Sequence, residues 1–191
     1  MLGRSKSVVR LNKVTMKKIY IYIILISFST LSLAMQKNVE LMLSLIEKKS
    51  SKEVEKAIEL NPNLLELRDH TGLSLLHLAA WHNKPETVQL LINLGMDYNL
   101  LSRFDETPLD WAIVFHASKI TKILLKNGAN ISPYSIHKAA RTSTPKIIKR
   151  LVSFGANVHD KDKHGRTPLV YAQANNKPLN VNVLKKCGAT E

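Results

Sequence analysis

The sequence predicts an all-α protein made of about five successive helix-turn-helix units. Two short motifs recur along the chain, and both keep the same spacing. Copies of the first motif, related to Thr-Pro-Leu-His-x-Ala, begin at Ser74, Thr107, Tyr134 and Thr167. Copies of the second, a glycine followed by Met or Ala, stand at Gly95, Gly128, Gly155 and Gly188. In both series the steps are 33, 27 and 33 residues. Two separate motifs with identical steps indicate tandem repeats.

Apolar residues between these motifs predict helices with one buried face. They recur at steps of three and four, which is the spacing of an amphipathic helix. Two clear examples are the sets Val39, Met42, Leu43, Ile46 and Val88, Leu90, Leu91, Leu94. A further helix is expected to bury Val54, Ala57, Ile58 and Leu60. Ser50 and Glu53 have the spacing of a capping box, Ser74 suits an N-cap, and Pro85 suits the first position of a helix. The repeated glycines suit C-caps.

A period near 33 residues with a Thr-Pro-Leu-His-x-Ala core is typical of ankyrin repeats, and the chain resembles that family. The resemblance implies an all-α ankyrin-repeat solenoid of about five stacked helix-turn-helix units with short hairpin loops. These units are expected at about 36–68, 69–101, 102–129, 130–161 and 162–191, within a repeat domain of residues 35–191. The first unit lacks the hairpin motif, as a terminal capping unit would.

The single short step predicts a missing hairpin loop between the third and fourth units. Gly128 to Ile136 is eight residues, whereas Gly95 to Leu109 is fourteen. We therefore expect a gap in the row of hairpin loops at this place.

Residues 1–34 have the layout of a secretory signal peptide. They contain six Lys or Arg and no acidic residue, followed by a charge-free run from Ile19 to Met35. Small residues at Ser32 and Ala34 suit cleavage before Met35. A second hypothesis is that the true start codon is Met16, which is followed directly by Lys17 and Lys18. The alternative is an uncleaved membrane anchor over residues 19–35, although 17 residues are fewer than the roughly 20 that span a bilayer comfortably. We expect an exported protein, periplasmic or secreted, with no membrane contact beyond this segment.

Composition and motifs argue against catalysis. The net charge of +13 favours acidic partners mildly, but there is no basic face with base-reading elements, so nucleic acid is not expected. Cys187 is the only cysteine, which excludes an intramolecular disulfide. The histidines lack the spacing of a metal site, and no nucleophile or phosphate-binding motif is present. We expect no catalytic residue, no cofactor, no metal and a monomeric state.

The resemblance implies that a partner protein contacts the hairpin tips and the exposed positions of the inner helices. In this sequence those positions are His70, Trp81, His82, Arg103, Phe104, Val114, Phe115 and Arg141. Large aromatic residues with arginine are favoured at interface centres. The alternative is that Trp81, Phe104 and Phe115 brace the loops and each other. If they form the interface, truncating Trp81 and Phe115 should abolish binding and leave stability nearly intact.

The resemblance also gives His77 and His137 a structural role, because the family's histidine at this position forms hydrogen bonds within and between loops. Asp110 and Val170 depart from that pattern. The function expected is a non-enzymatic module, exported from a bacterium, that binds another protein. Two alternatives remain open: a translocated effector that binds a host protein, and an accessory factor that protects or assembles a periplasmic enzyme.

Overall fold

The computed structural model describes residues 33–190, which form ten α-helices and one 3-10 helix and no strand within that range. The α-helices are α1 Leu33–Lys48, α2 Ser51–Leu60, α3 Leu75–Trp81, α4 Pro85–Asn93, α5 Pro108–Val114, α6 Ser118–Lys126, α7 Pro133–Thr142, α8 Pro145–Ser153, α9 Pro168–Ala174 and α10 Pro178–Lys186. The 3-10 helix, Pro62–Glu66, follows α2. The all-α prediction is confirmed.

The helices form five consecutive pairs that stack on each other. In each pair we call the first helix inner and the second outer. The inner helices pack in the order α3, α5, α7 and α9, and the outer helices in the order α2, α4, α6, α8 and α10. Each helix from α2 to α8 therefore contacts its equivalent in the next unit. This is the packing of a solenoid, in which each repeat stabilises its neighbours.

The chain divides into two compact units, residues 1–36 and 37–191. Of the first unit only the start of α1 falls in the described range. The predicted signal peptide over residues 1–34 lies almost wholly outside that range and stays a prediction. From residue 33 to residue 190, no helix is both long enough and apolar enough to cross a membrane.

The core is formed by the predicted apolar faces. Val39, Met42 and Ile46 are buried in α1, and Val88 and Leu91 are fully buried in α4. Two predicted core residues are wrong. The side chain of Leu60 is 79% exposed, and Leu94 is also exposed. Both stand at the C-terminal end of a helix, where the chain turns away and no neighbouring helix covers them.

The helix ends match the predicted caps. Ser50 forms a capping box with Glu53, and Ser74 accepts a hydrogen bond from the His77 amide. Thr107 forms the same arrangement with Asp110. The four repeated glycines follow the outer helices with positive φ angles of 86° to 97°. This conformation is accessible to glycine without steric cost and ends the helix.

Three hairpin loops project from the stack, and a fourth is missing as predicted. They occupy residues 69–73, 102–106 and 162–166. In each loop the first residue's amide donates to the last residue's carbonyl, at 2.9 to 3.0 Å. Between Gly128 and Pro133 there is no such loop, because α7 begins five residues after the glycine. The row of loops therefore has a gap between the third and fourth units.

Candidate partner-binding surface

The hairpin loop 102–106 presents two exposed residues of the predicted contact set. Phe104 is 63% exposed and Arg103 beside it is exposed as well. The Ser102 hydroxyl oxygen accepts hydrogen bonds from the Phe104 amide at 3.2 Å and the Glu106 amide at 3.3 Å. The Arg103 amide donates to the Thr71 carbonyl of the preceding loop at 2.9 Å. The tip is therefore held by its own side chain and by its neighbour.

His77 attaches this loop to the preceding inner helix. Its Nδ1 accepts from the Ser74 amide at 3.2 Å, and its Nε2 donates to the Glu106 carbonyl at 3.0 Å. A carbonyl can only accept, so the neutral ring carries its proton on Nε2. Burial lowers the pKa of His77 to about 4, although the hydrogen bond to Glu106 opposes that shift. At neutral pH the uncharged ring therefore joins two units through its hydrogen bonds to Ser74 and Glu106.

His137 repeats the inter-unit contact one hairpin later, with its Nε2 3.0 Å from the Arg166 carbonyl. That loop is further fixed by its side chains. Asp162 lies 2.7 Å from the Tyr171 hydroxyl and 2.8 Å from the Arg166 guanidinium. Burial would raise the pKa of Asp162, but hydrogen bonds from Arg166, Tyr171 and the His164 amide hold it well below the ordinary aspartate value. Both histidines thus have the contacts that the resemblance implies.

Asp110 replaces the histidine at the unit whose following hairpin is missing. In the second and fourth units the histidine's Nε2 reaches a carbonyl of the next hairpin, and here no hairpin carbonyl is present. Asp110, only 2% exposed, instead accepts from the Thr107 amide at 3.1 Å and the Ser135 hydroxyl at 3.1 Å. Lys138 lies 3.4 Å from the same carboxylate and 3.1 Å from that of Glu106. An ion pair on the inner helices therefore replaces the loop contact.

Trp81 belongs to a cluster of rings rather than to the exposed surface. Its ring centroid lies 5.8 Å from Trp111, 5.9 Å from Phe115 and 4.8 Å from His82. Trp111 and Phe115 are stacked at 5.6 Å. Trp81 is only 3% exposed, so its expected position on an exposed face is not what the structure shows. The ring lies beneath Phe115 and His82 and supports them, which agrees with the bracing alternative for this one residue.

The other predicted contact residues differ in exposure. Arg103, Phe104 and Arg141 are exposed, and His70, His82, Val114 and Phe115 are half-buried. The structure brings His82 and Phe115 together around Trp81, and it places His70 in the loop next to Arg103. Arg141 lies farther along, on α7. Their role as partner contacts stays a prediction.

Three residues of this surface were not predicted from the sequence. Trp111 is buried in the ring cluster, Tyr134 is exposed at the start of α7, and Lys138 forms ion pairs with Glu106 and Asp110. Trp111 stands four residues before Phe115, and that helical spacing was a usable signal for the contact. Tyr134 begins a copy of the first motif, but the motif does not indicate that its ring is exposed, and Lys138 carries no local pattern that marks it.

Between residues 33 and 190 no group of three His, Cys, Asp or Glu side chains could hold a metal ion. Cys187 is a half-buried free thiol.

The family described as ankyrin repeats (3 copies) matches residues 31–135, more than half of the chain. The chain belongs to the ankyrin-repeat family. Repeats of this family form non-enzymatic scaffolds for protein–protein interaction. The matched range ends at the start of α7, but the fourth and fifth units continue the same packing to the end of the described range.

The chain spans only a small part of the length of the individual relatives that it matches. It is 30% identical over 130 residues to neurogenic locus notch homolog protein 1 of Mus musculus, covering 64% of this chain and 5% of that protein. It is 31% identical over 117 residues to the B-cell lymphoma 3 protein homolog of Mus musculus, covering 58% and 26%. A transient receptor potential cation channel subfamily A member 1 homolog of Caenorhabditis elegans is 28% identical over 119 residues, covering 60% and 10%.

Proposed function

We propose that this ankyrin-repeat protein binds a partner protein through a surface centred on Phe104. Arg103 lies beside it on the same tip and is proposed as the second contact. The further contacts proposed are Val114 at the end of α5, Phe115 just after it, His70, His82 and Arg141. The observation that supports this proposal is the high exposure of Phe104 on a hydrogen-bonded tip, because a large exposed aromatic ring contributes nothing to the core.

The mechanism is the display of a surface that is ordered before the partner arrives. The tip is held by the Ser102 side chain, by the Thr71 carbonyl and by His77. A contact residue that is already fixed loses little conformational entropy on binding, so more of the contact energy contributes to affinity. The buried Trp81 also fixes a contact residue before binding, because its ring packs against that of Phe115.

Replacing Arg103 and Phe104 together with alanine should weaken partner binding at least tenfold, that is, by about 1.4 kcal/mol or more. Because both side chains are exposed, the free energy of unfolding should change by less than about 0.5 kcal/mol. The partner is first identified by pull-down with the native chain, and its Kd for each variant is then measured by calorimetry.

The matched control replaces one exposed lysine and one exposed leucine elsewhere, Lys52→Ala with Leu179→Ala. The control should bind with unchanged Kd. Equal binding by both double variants would reject the tip as the contact surface.

We further propose that the chain is exported, on the strength of the basic and apolar sequence of residues 1–34. Fractionation of native cells should recover the protein outside the cytoplasm. N-terminal sequencing should find Met35 as the first residue. A chain that keeps residues 19–35 would support the anchor instead. Recovery inside a host cell would support the effector, and co-purification with one periplasmic enzyme would support the accessory factor.

A further inference from the structure

The outer helices of the third and fourth units form a basic groove that the binding surface above does not use. Residues 111–159 contain eight Lys or Arg and no Asp or Glu. Five of these cations line a groove of about 350 Å³ between α6 and α8, together with Ser153 and Phe154. The five are Lys122, Lys126, Lys146, Lys149 and Arg150. The groove therefore concentrates positive charge with no acidic residue in its lining.

Arg150, one of the five basic residues of the groove, connects the two helices on either side of it. Arg150 of α8 donates to the Ser118 hydroxyl at 2.9 Å and to the Ser118 carbonyl at the start of α6, which ties the two helices together. Lys119, just outside the groove, is paired with Glu86 at 2.7 Å. The four lysines in the groove are exposed, and no carboxylate among residues 37–190 lies within ion-pair distance of them. Their charge is not neutralised within this range.

We propose that the groove binds a short acidic segment of a partner polypeptide that also carries an aromatic or aliphatic residue. Clustered lysines attract carboxylates, and the five cations of the groove lie on two neighbouring helices where one short acidic segment can reach several of them. Phe154 is 44% exposed at the end of α8 and offers an apolar contact beside the charges. Each helix has nine residues, about 13 Å in length, which corresponds to about four residues of extended peptide.

This occupant fits the groove better than a nucleic acid or a lipid surface does. Proteins that bind single-stranded nucleic acid use a long basic groove with several aromatic side chains on which the bases stack. This groove, by contrast, is lined by one aromatic residue and is only as long as two nine-residue helices. A lipid surface would meet protruding residues, whereas Arg150 lies half-buried between the helices. The site is separate from the surface around Phe104, so the two proposals can fail independently.

The test is fluorescence anisotropy of the full-length chain at 0.15 M salt. The probe is a fluorescein-labelled nonapeptide with four Glu and one Phe between Gly and Ser residues. The groove variant carries Lys122→Glu, Lys146→Glu and Lys149→Glu. The control variant has the same charge change on exposed lysines elsewhere: Lys52→Glu, Lys56→Glu and Lys163→Glu. The groove variant should bind at least tenfold more weakly, and the control variant should change less than threefold. Circular dichroism checks that both variants are folded.

Two further comparisons address the occupant. Replacing the probe's Phe with Ala, or Phe154 with Ala, should weaken binding, and replacing the probe's Glu with Gln should abolish it. Arg103→Ala with Phe104→Ala should leave probe binding unchanged. The proposal is rejected if the probe fails to bind at 1 mM, or if the two lysine triples weaken binding equally. It is also rejected if oligo(dT) or anionic vesicles bind more tightly than the probe with the same dependence on the groove lysines.

Discussion

Trp81→Ala is expected to lower the free energy of unfolding by about 3 to 5 kcal/mol, the range for removing a large buried aromatic side chain. Trp81 is 3% exposed and contacts the rings of Trp111 and Phe115 from the next unit. Its removal opens a cavity between two repeats whose backbones are fixed by their neighbours, so the site can collapse only partly. Chemical denaturation followed by circular dichroism measures the effect.

Phe104→Ala is the matched control, because it removes a comparable ring that is mostly exposed. Its effect on the free energy of unfolding should stay below about 0.5 kcal/mol. Trp81→Phe, which keeps an aromatic ring in the cluster, should cost less than Trp81→Ala. A loss below about 1 kcal/mol for Trp81→Ala, with partner capture abolished, would contradict the structural role and restore Trp81 as a contact residue.

The fold could be predicted because the information that specifies it is local and repeated. Helix periodicity, Ser74 and Thr107 as caps, and glycines after the outer helices each act within a few residues. The missing hairpin was equally accessible, since a loop cannot form where the chain is six residues too short. Errors arose at helix ends such as Leu60, where the periodicity continues but the covering neighbour does not.

The surface was harder to predict because exposure depends on contacts between units. Trp81 sits at a position that the family exposes, yet Trp111 and Phe115 of the next unit cover it. No pattern within one repeat contains that information. Asp110 and the missing hairpin were both visible in the sequence. That the two features are related could be seen only in the structure. A histidine at position 110 would have donated to a carbonyl of the next hairpin, and that hairpin is the missing one.

The stability of the protein should fall by about 2 kcal/mol between pH 7 and pH 5 through His77 alone. Its pKa is about 4 in the folded chain and about 6.5 when unfolded, so in this interval the unfolded chain binds a proton that the folded chain does not. The folded state therefore loses stability as the pH falls below about 6.5. The loss reaches about 3 kcal/mol near pH 4 and levels off below that pH. The physical origin is the buried ring, with the nearby Arg68 adding to the shift and Asp69 opposing it.

His77→Gln removes the contribution of His77 protonation to the pH dependence of stability. The glutamine amide can still donate toward the Glu106 carbonyl, but it does not titrate. The difference in unfolding free energy between wild type and variant should shrink by about 2 kcal/mol from pH 7 to pH 5. Carboxylates such as Glu53, whose pKa is lowered to about 2 by the Ser50 amide and Lys49, remain ionised in this interval and cancel between the two proteins. A difference that stays constant with pH would mean that His77 takes up its proton over the same pH range in the folded chain as in the unfolded chain. The protonated His77 ring would then carry a hydrogen on both nitrogens. The Ser74 amide would lose Nδ1 as its acceptor, and with it one hydrogen bond of the capping box of α3.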